Sequence, residues 1–223
     1  MSTVALIPAR GGSKGIPRKN IKNFCSKPLI FWSIKIALES KLIDRVIVST
    51  EDEEIANIAK SFSAEVPFLR PKDLARDNTP GIDPVIHALN LIPEIDDLLL
   101  LQPTSPIRNQ SDIEGIFRTR EEFNSDSSVS ITLASKPLCL HHELSSENKL
   151  IPISSRNIKI RQDFSNEYVL NGSMYLSKRE SILQNKSLIT AKTVGYEMSP
   201  YYSIDIDTYF DWEIAEFIMK KLK

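Results

Sequence analysis

The sequence has little cysteine, and its two cysteines, Cys25 and Cys139, lie far apart in a chain of 223 residues. Neither belongs to a Cys-x-x-Cys pair or to a spacing of cysteine and histidine that is typical of zinc binding. The chain therefore offers no cysteine framework for a zinc site or a set of disulfides. Two isolated thiols fit a protein of a reducing compartment.

An excess of one charge is also absent, because 28 lysines and arginines face 29 aspartates and glutamates, giving a net charge of -1. Such a chain has no general field that would attract nucleic acid or an anionic membrane, so we expect neither as a partner. Long apolar runs are missing too, since none approaches the roughly 20 residues of a spanning helix. The run at residues 4–7 is too short for the core of a signal peptide, and we expect a cytoplasmic protein.

What is present is the composition of a soluble globular domain, with 41% hydrophobic and 26% charged residues. Strand and helix patterns alternate through the first half, which predicts βαβ units and a largely parallel sheet. We predict strands at residues 4–8, 45–49, 65–69, 98–101, 129–133, 173–176 and 193–196. We predict helices at residues 28–38, 82–91, 111–122 and 211–222, with a further helix near residues 55–59.

Two segments interrupt this regular pattern. Residues 135–169 are serine-rich and charged with short β-like pieces, so we interpret them as an arm inserted into a core of residues 1–134 and 170–223. Thr50 and Glu53 form a capping-box pattern ahead of the helix near residues 55–59. We therefore interpret the acidic residues 51–54 as a helix N-terminus without a chemical role.

A glycine loop with four cations follows the first predicted strand, in the sequence IPARGGSKGIPRKN at residues 7–20. Glycine allows positive φ and close approach of the backbone, so amide groups can point at phosphate oxygens while Lys and Arg neutralise their charge. The loop predicts a nucleoside triphosphate as ligand. Its spacing matches neither a Walker A loop nor the G-x-G-x-x-G dinucleotide fingerprint. The alternative is a glycine turn with solvated charges and no ligand.

Two aspartates near the C-terminus alternate with isoleucines in the sequence SIDID at residues 203–207. On a strand, Asp205 and Asp207 would share one side while the isoleucines face the core. Mg²⁺ prefers oxygen ligands and is often held by one or two carboxylates together with substrate phosphates, so the pair is a candidate metal site. The alternative is that Asp207 or Thr208 caps the following helix and that Asp205 is solvated.

Two predicted strands end in polar segments at what we expect to be one edge of the sheet. Residues 4–8 run into the glycine loop, and residues 98–101 run into QPTSP at residues 102–106. Ligands of open α/β sheets bind beyond the carboxyl ends of the strands, so we expect both segments to line the ligand site.

Taken together and in this order, these motifs resemble the N-acylneuraminate cytidylyltransferases, the family of the CMP-nonulosonic acid synthetases. The motifs are IPARGGSKGIP with KN (7–20), VST (48–50), RP with LA (70–75), LQPTSP (101–106), NG (171–172) and SIDID (203–207). The loop is more similar to the sialic acid branch than to the 3-deoxy-manno-octulosonate branch, whose loop usually reads STRLP. The resemblance implies an α/β fold, a Rossmann-like three-layer nucleotidyltransferase with a mostly parallel (mixed) sheet and a small inserted dimerisation arm.

The resemblance also implies a reaction and its partners. The anomeric hydroxyl of a nine-carbon 2-keto sugar acid would attack the α-phosphorus of CTP, giving CMP-sugar and pyrophosphate, with Mg²⁺ as cofactor. The arm would join two copies in a homodimer, and the apolar residues Leu138, Leu140, Leu150 and Ile151 would otherwise form exposed patches.

Site residues are carried over from the family position by position. Catalytic roles on the triphosphate fall on Lys19, Arg10 and Lys14. Further nucleotide-binding positions are Ala9, Gly11, Gly12, Ser13, Asn20, Arg70, Ala75, Thr79 and Gly81. Positions for the sugar acid are Gln102, Thr104, Ser105, Arg161, Gln162, Asn171 and Tyr175. Asp205 and Asp207 would bind Mg²⁺.

The acceptor stays open at this point. Cys139 and Val169 stand where family members that use N-acetylneuraminic acid often carry a lysine and an arginine, so a related acid such as legionaminic acid is a candidate. Other hypotheses are a sugar nucleotidyltransferase with another substrate, such as 3-deoxy-manno-octulosonate, and a nucleotide-binding protein of this fold that does no chemistry. The glycine loop combined with the aspartate pair favours an enzyme, because phosphoryl transfer needs positioning and charge neutralisation.

Overall fold

A computed structural model describes residues 2–154 and 166–222 of the chain. Its strands are β1 (Thr3–Pro8), β2 (Asn23–Phe24), β3 (Lys27–Pro28), β4 (Arg45–Ser49), β5 (Asp97–Leu101), β6 (Ser127–Leu133), β7 (His142–Leu144), β8 (Leu150–Pro152), β9 (Tyr168–Lys178) and β10 (Val194–Glu197). Its helices are α1 (Leu29–Leu38), α2 (Glu53–Ser61), α3 (Asp83–Leu91), α4 (Gln110–Glu122), α5 (Arg179–Asn185) and α6 (Tyr209–Lys221).

Six strands form the central sheet in the order β10-β6-β9-β5-β1-β4. β1 pairs in parallel with β4 and β5, and β10 pairs in parallel with β6. β9 runs antiparallel to both of its neighbours, β5 and β6. The prediction of a mostly parallel, mixed sheet is confirmed.

Helices cover both faces of this sheet. Apolar residues of β1 point alternately to the two faces and pack against helices on each. Ala5 and Ile7 pack in one cluster, with residues of α1, α2 and α4. Val4 and Leu6 pack in a second cluster, with residues of α3 and α5. The arrangement is the predicted three-layer α/β fold, and the leucines of β5 are buried between the layers.

A third cluster fixes the C-terminal helix against the end of the glycine loop. Ile16, Phe24 and Leu29 pack there with Ile206 and Trp212. The rings of Phe24 and Trp212 meet edge to face, with their centroids 5.2 Å apart. Residues almost 200 positions apart in sequence are therefore held together by burial of apolar surface.

Three local predictions were wrong. Residues 65–69 form no strand, because Glu65 makes only an isolated parallel bridge to Ile47. Residues 203–207 have no regular secondary structure, although Ile206 is fully buried as the alternation predicted. α2 is capped by Asp52, whose carboxylate accepts from the Ile55 amide, and Thr50 instead accepts from the Asp52 amide.

The segment predicted as an inserted arm contains a separate two-stranded sheet of β7 and β8. β9 begins inside the predicted arm, since Tyr168 already pairs with Leu133 of β6. The division into core and arm stays a prediction. None of the helices in the described parts of the chain combines the length and the apolar character that crossing a membrane requires.

Candidate active site

A cavity of about 500 Å³ lies at the carboxyl ends of β1 and β5. Many of the predicted site residues lie in its wall. They are Arg10, Ser13, Lys19, Asn20, Arg70, Ala75, Thr79, Gly81, Gln102, Thr104 and Tyr175. The structure thus brings the glycine loop and the segment after β5 to one cavity, as their positions after parallel strands predicted.

The glycines of the loop provide space and not positive φ. In the described parts of the chain, the glycine with positive φ is Gly172, at 71°, so that part of the sequence prediction was wrong. A Cβ on Gly11 would overlap the Asp52 carboxylate, and a Cβ on Gly15 would overlap the Asp207 carbonyl oxygen. The loop therefore needs glycine because it passes close to the acidic segment after β4 and to the aspartate pair.

Two loop cations, Arg10 and Lys14, share one carboxylate. Arg10 Nη1 and Lys14 Nζ each lie 2.8 Å from an oxygen of Asp77. The hydrogen bond from Lys14, with the charges of both cations, lowers the pKa of Asp77 below its usual value. An anion already balances these two cations in the place where the sequence predicts a triphosphate.

A second carboxylate contacts the loop from the acidic residues 51–54. Glu51 Oε1 accepts from the Gly11 amide at 2.7 Å, and Oε2 accepts from Arg70 Nη2 at 3.0 Å. Asp52 is paired with Arg18 of the loop. The interpretation of residues 51–54 as a helix N-terminus without a further role was incomplete, because the charges of Glu51 and Asp52 face cations that are distant in sequence.

Lys19 differs from the other loop cations because it is buried and connects the loop to the aspartate pair. Its Nζ donates to the Ile206 carbonyl at 2.7 Å and to Asp207 Oδ1 at 3.1 Å. The side chain of Lys19 is 11% exposed, whereas that of Lys14 is 80% exposed. Asn20 supports the loop by donating to the Arg10 carbonyl at 2.9 Å.

The aspartate pair lies beside Lys19, on the segment that leads into α6. Thr208 caps α6 in a capping box with Asp211, so the Asp207 carboxylate is not used for capping. Asp205 is an exposed residue overall. Its carboxylate nevertheless lies close to Thr104 and Gly172. Desolvation raises the pKa of Asp205, a hydrogen bond from Thr104 opposes this, and the charge of Asp207 raises the pKa further.

The donor set of this pair fits Mg²⁺. Besides the larger effect of desolvation, the charge of Asp207 raises the pKa of Asp205, and a divalent cation relieves such repulsion between carboxylates. Residues 2–154 and 166–222 contain no group of three or more His, Cys, Asp or Glu side chains arranged to hold a metal ion. A site of two carboxylates completed by phosphate and water oxygens is the kind that Mg²⁺ favours.

The predicted sugar-binding residues divide into two groups. Gln102, Thr104 and Tyr175 line the cavity, and burial together with the nearby Asp205 charge raises the pKa of Tyr175. Asn171 is 5% exposed, and its amide is used by protein partners: Oδ1 accepts from Ser130 and the Ser173 amide, and Nδ2 donates to Ser203. Asn171 thus holds the segment before Asp205 in place.

Five further predicted residues lie away from the cavity wall or outside the described chain. Ala9 is fully buried in the core, and Ser105 is buried with its hydroxyl lacking a partner. Gly12 faces an adjoining groove along the acidic residues 51–54. Arg161 and Gln162 lie outside the described residues.

Sequence reasoning missed three polar residues that shape this site: Glu51, Asp77 and Arg108. Arg108 follows the QPTSP segment and is 9% exposed. An arginine directly after an apolar residue carries no periodic signal, but its position six residues after Gln102 in a cavity-lining segment could have drawn attention to it.

Known proteins are similar to this chain in sequence and in fold. The cytidylyltransferase profile matches residues 4–215. The chain is 35% identical over 226 residues to the CMP-N,N'-diacetyllegionaminic acid synthase of Legionella pneumophila, covering 99% of this chain and 97% of that protein. It is 33% identical over 221 residues to the N-acylneuraminate cytidylyltransferase of Escherichia coli O18:K1:H7, covering 98% of this chain and 52% of that protein.

The chain thus spans about half the length of the Escherichia coli relative and nearly all of the Legionella one. A solved structure of a CMP:2-keto-3-deoxy-manno-octonic acid synthetase complexed with CTP superposes with a TM-score of 0.75 at 17% identity, covering 100% of both chains. At that identity the likeness concerns the fold, which is that of a nucleotidyltransferase.

Proposed function

The chain belongs to the cytidylyltransferase family, and from this premise we propose that it transfers the cytidylyl group of CTP to a nonulosonic acid, releasing pyrophosphate. Both relatives described above are named for joining a cytidylyl group to such an acid. The observation that carries the proposal is the position of Lys19, which belongs to the glycine loop and contacts the segment of the aspartate pair. Its Nζ lies 2.7 Å from the Ile206 carbonyl oxygen and 3.1 Å from Asp207 Oδ1.

The proposed reaction forms one bond to the α-phosphorus of CTP and breaks another. The acceptor hydroxyl oxygen forms a bond to the α-phosphorus, the bond from that phosphorus to the bridging oxygen breaks, and pyrophosphate leaves with the electron pair while the hydroxyl proton is released to water. Negative charge grows on the phosphoryl oxygens and on the leaving group. We assign the stabilisation of that charge to Lys19, which is held by Ile206 and Asp207, and the binding of the outer phosphates to Arg10 and Lys14.

We assign Asp205 and Asp207 as the residues that would hold Mg²⁺. When bound, the ion would neutralise triphosphate charge and orient its oxygens. Asp207 already contacts Lys19, so one carboxylate connects the metal position to the loop cation.

We assign different residues of the cavity wall to the cytosine and to the acceptor. Arg70, which contacts Glu51, is assigned to the nucleoside together with Ala75, Thr79 and Gly81. Thr104 and Tyr175, which lie near Asp205, are assigned to the sugar acid together with Gln102. The Legionella relative is named for N,N'-diacetyllegionaminic acid, so we propose a legionaminic acid as the acceptor.

The experiment measures pyrophosphate release with Mg²⁺, each of the four nucleoside triphosphates, and N-acetylneuraminic, legionaminic, pseudaminic and 3-deoxy-manno-octulosonic acids. We expect release with CTP and a nonulosonic acid. Preference for octulosonic acid would move the protein to the alternative branch, and no release with any pair would overturn the enzyme proposal.

We also propose that the protein works as a homodimer in a reducing cytoplasm. The hairpin of β7 and β8 and the start of β9 carry exposed apolar residues, which a second copy would cover. They are Leu138, Leu140, Leu144, Leu150, Ile151, Ile153, Tyr168, Val169 and Leu170. Cys25 and Cys139 are not joined in a disulfide, which suits that compartment. Sedimentation analysis tests the dimer, and we expect Leu144→Arg with Leu150→Arg to give monomers.

A further inference from the structure

Arg108 is a buried cation whose four hydrogen-bond acceptors are all uncharged. Its Nε donates to Ser173 Oγ at 2.8 Å, and its Nη1 donates to Ser33 Oγ at 3.0 Å. Its Nη2 donates to the carbonyl oxygens of Gln102 at 2.6 Å and Ser173 at 2.7 Å. Burial lowers the pKa of Arg108 to about 9, and the nearby charges of Asp112 and Asp205 oppose that shift.

These contacts join three elements at the cavity edge of the sheet. Gln102 directly follows β5, Ser173 lies in β9 and Ser33 lies in α1. The Gln102 amide donates to the Ser173 carbonyl at 3.4 Å, a long hydrogen bond just beyond Leu101 and Met174, the last pair of the ladder between β5 and β9. The guanidinium holds both carbonyls where the regular pairing ends.

The segment held in this way forms the acceptor side of the cavity. Gln102 and Thr104 line the cavity, and the Thr104 carbonyl accepts from the Ile206 amide at 2.8 Å, between the two aspartates. Thr104 also hydrogen-bonds the Asp205 carboxylate. The segment that contains Gln102 and Thr104 therefore forms part of the cavity wall and, through Thr104, contacts the aspartate pair.

Building on the proposed function, we infer that Arg108 is a positioning residue of the acceptor side: by holding the Gln102 and Ser173 carbonyls it sets where Gln102 and Thr104 meet the sugar acid. Only a planar fork with several donors can serve acceptors on three elements at once, and a lysine ammonium at the same position cannot reach them all.

Arg120, a residue of α4, provides a matched control because it supports the same strand, β5. It is 9% exposed, as Arg108 is. It makes a bidentate pair with Asp97, at 2.7 and 2.6 Å. Asp97 begins β5 and Gln102 follows its end, so the two arginines support opposite ends of one strand. A purely structural role would make the two positions respond alike.

The experiment compares Arg108→Lys with Arg120→Lys in the full chain. Misplacement of about 1 Å costs a site roughly 100-fold in rate, so we expect Arg108→Lys to lower kcat/KM for the sugar acid by about 10- to 100-fold. The Kd for CTP, measured by calorimetry, should change less than about twofold. Arg120→Lys should lower Tm and leave both constants near the wild-type values. Equal kinetic losses in the two variants would overturn the inference.

Two further measurements keep the test decisive. Arg108→Ala should regain activity when guanidinium ion is added at millimolar concentration, and absence of rescue in a folded variant would contradict the inference. Hydrogen exchange of residues 102–107 should quicken in Arg108→Lys and not in Arg120→Lys, and unchanged exchange would also overturn it. Because exchange needs no turnover, it decides the role of Arg108 even if the wild type activates no sugar acid.

Discussion

The two walls of the cavity are built in opposite ways. The phosphate wall, formed by the glycine loop, is held by surface ion pairs. Arg10 and Lys14 both contact the carboxylate of Asp77, whose side chain is 47% exposed. The acceptor wall, which contains Gln102, Thr104 and Tyr175, is held by buried groups that each make several hydrogen bonds, such as Arg108 and Asn171. Exposed pairs contribute about 0–1 kcal/mol each, whereas breaking a buried polar network costs more. The phosphate wall can therefore exchange partners, while the acceptor wall is fixed.

Carboxylates contact the cations and the amide to which the proposed function assigns the triphosphate. Asp77 contacts Arg10 and Lys14, and Glu51 accepts from the Gly11 amide. If phosphate oxygens replace the exposed Asp77 carboxylate, one anion takes the place of another on these two cations. Lys19 stands apart, since it is buried and fixed although it belongs to the same loop.

The largest expected effect comes from removing this fixed cation. We predict that Lys19→Ala lowers kcat by about 100- to 1,000-fold, the range seen when one preorganised donor to a transition-state charge is lost. Steady-state kinetics with CTP and the sugar acid measures it, and circular dichroism checks the fold. In the control, Lys14→Ala, which removes an exposed cation, the effect should fall mainly on the KM for CTP. Near wild-type kcat in Lys19→Ala would refute the role given to this residue.

Asp207→Asn should have the next largest effect, a loss of about 10- to 100-fold in kcat/KM, similar to losses from altered metal shells. The amide keeps the size of the side chain but removes a charge that we assign to Mg²⁺. The Mg²⁺ concentration for half-maximal activity should rise. The Tm should change little, because the side chain is 75% exposed. An unchanged Mg²⁺ dependence would exclude Asp207 as a ligand.

Asp77→Asn tests whether the phosphate wall really exchanges its anion. Loss of the competing carboxylate should lower the KM for CTP about two- to fivefold, the equivalent of one exposed ion pair. The control is Asp73→Asn, because Asp73 pairs with Arg76 in the same segment and contacts neither loop cation. A higher KM for CTP in Asp77→Asn would show that Asp77 supports the loop and does not compete with phosphate.

The smallest effect concerns pH and His87, which stacks edge to face on Phe68 behind Arg70. Desolvation and then the Arg70 charge lower the pKa of His87. Below pH of about 6.5 the unfolded chain binds a proton that the folded protein does not, so stability falls as the pH decreases toward the folded pKa. His87→Leu should lose less stability than the wild type between pH 7 and 5.5, measured by urea unfolding. Parallel losses would contradict the prediction.

Sequence alone determined what depends on near neighbours. The run of leucines in β5, the alternation in β1 and the capping of α6 by Thr208 are local patterns, and the structure has all three. The cavity was also predictable in outline, because parallel strands place the glycine loop and the QPTSP segment at one edge of the sheet.

The tertiary structure decided which charges meet. Glu51 reaches Gly11 across 40 positions of sequence, and Lys19 reaches Asp207 across 188. Local pattern assigned Glu51 to a helix N-terminus, and only the pairing of β1 with β4 turns its carboxylate toward the loop. Arg108 and Asn171 likewise meet their partners through the antiparallel β9, which lies between β5 and β6, because hydrogen-bond partners on different strands depend on sheet order, which no local spacing records.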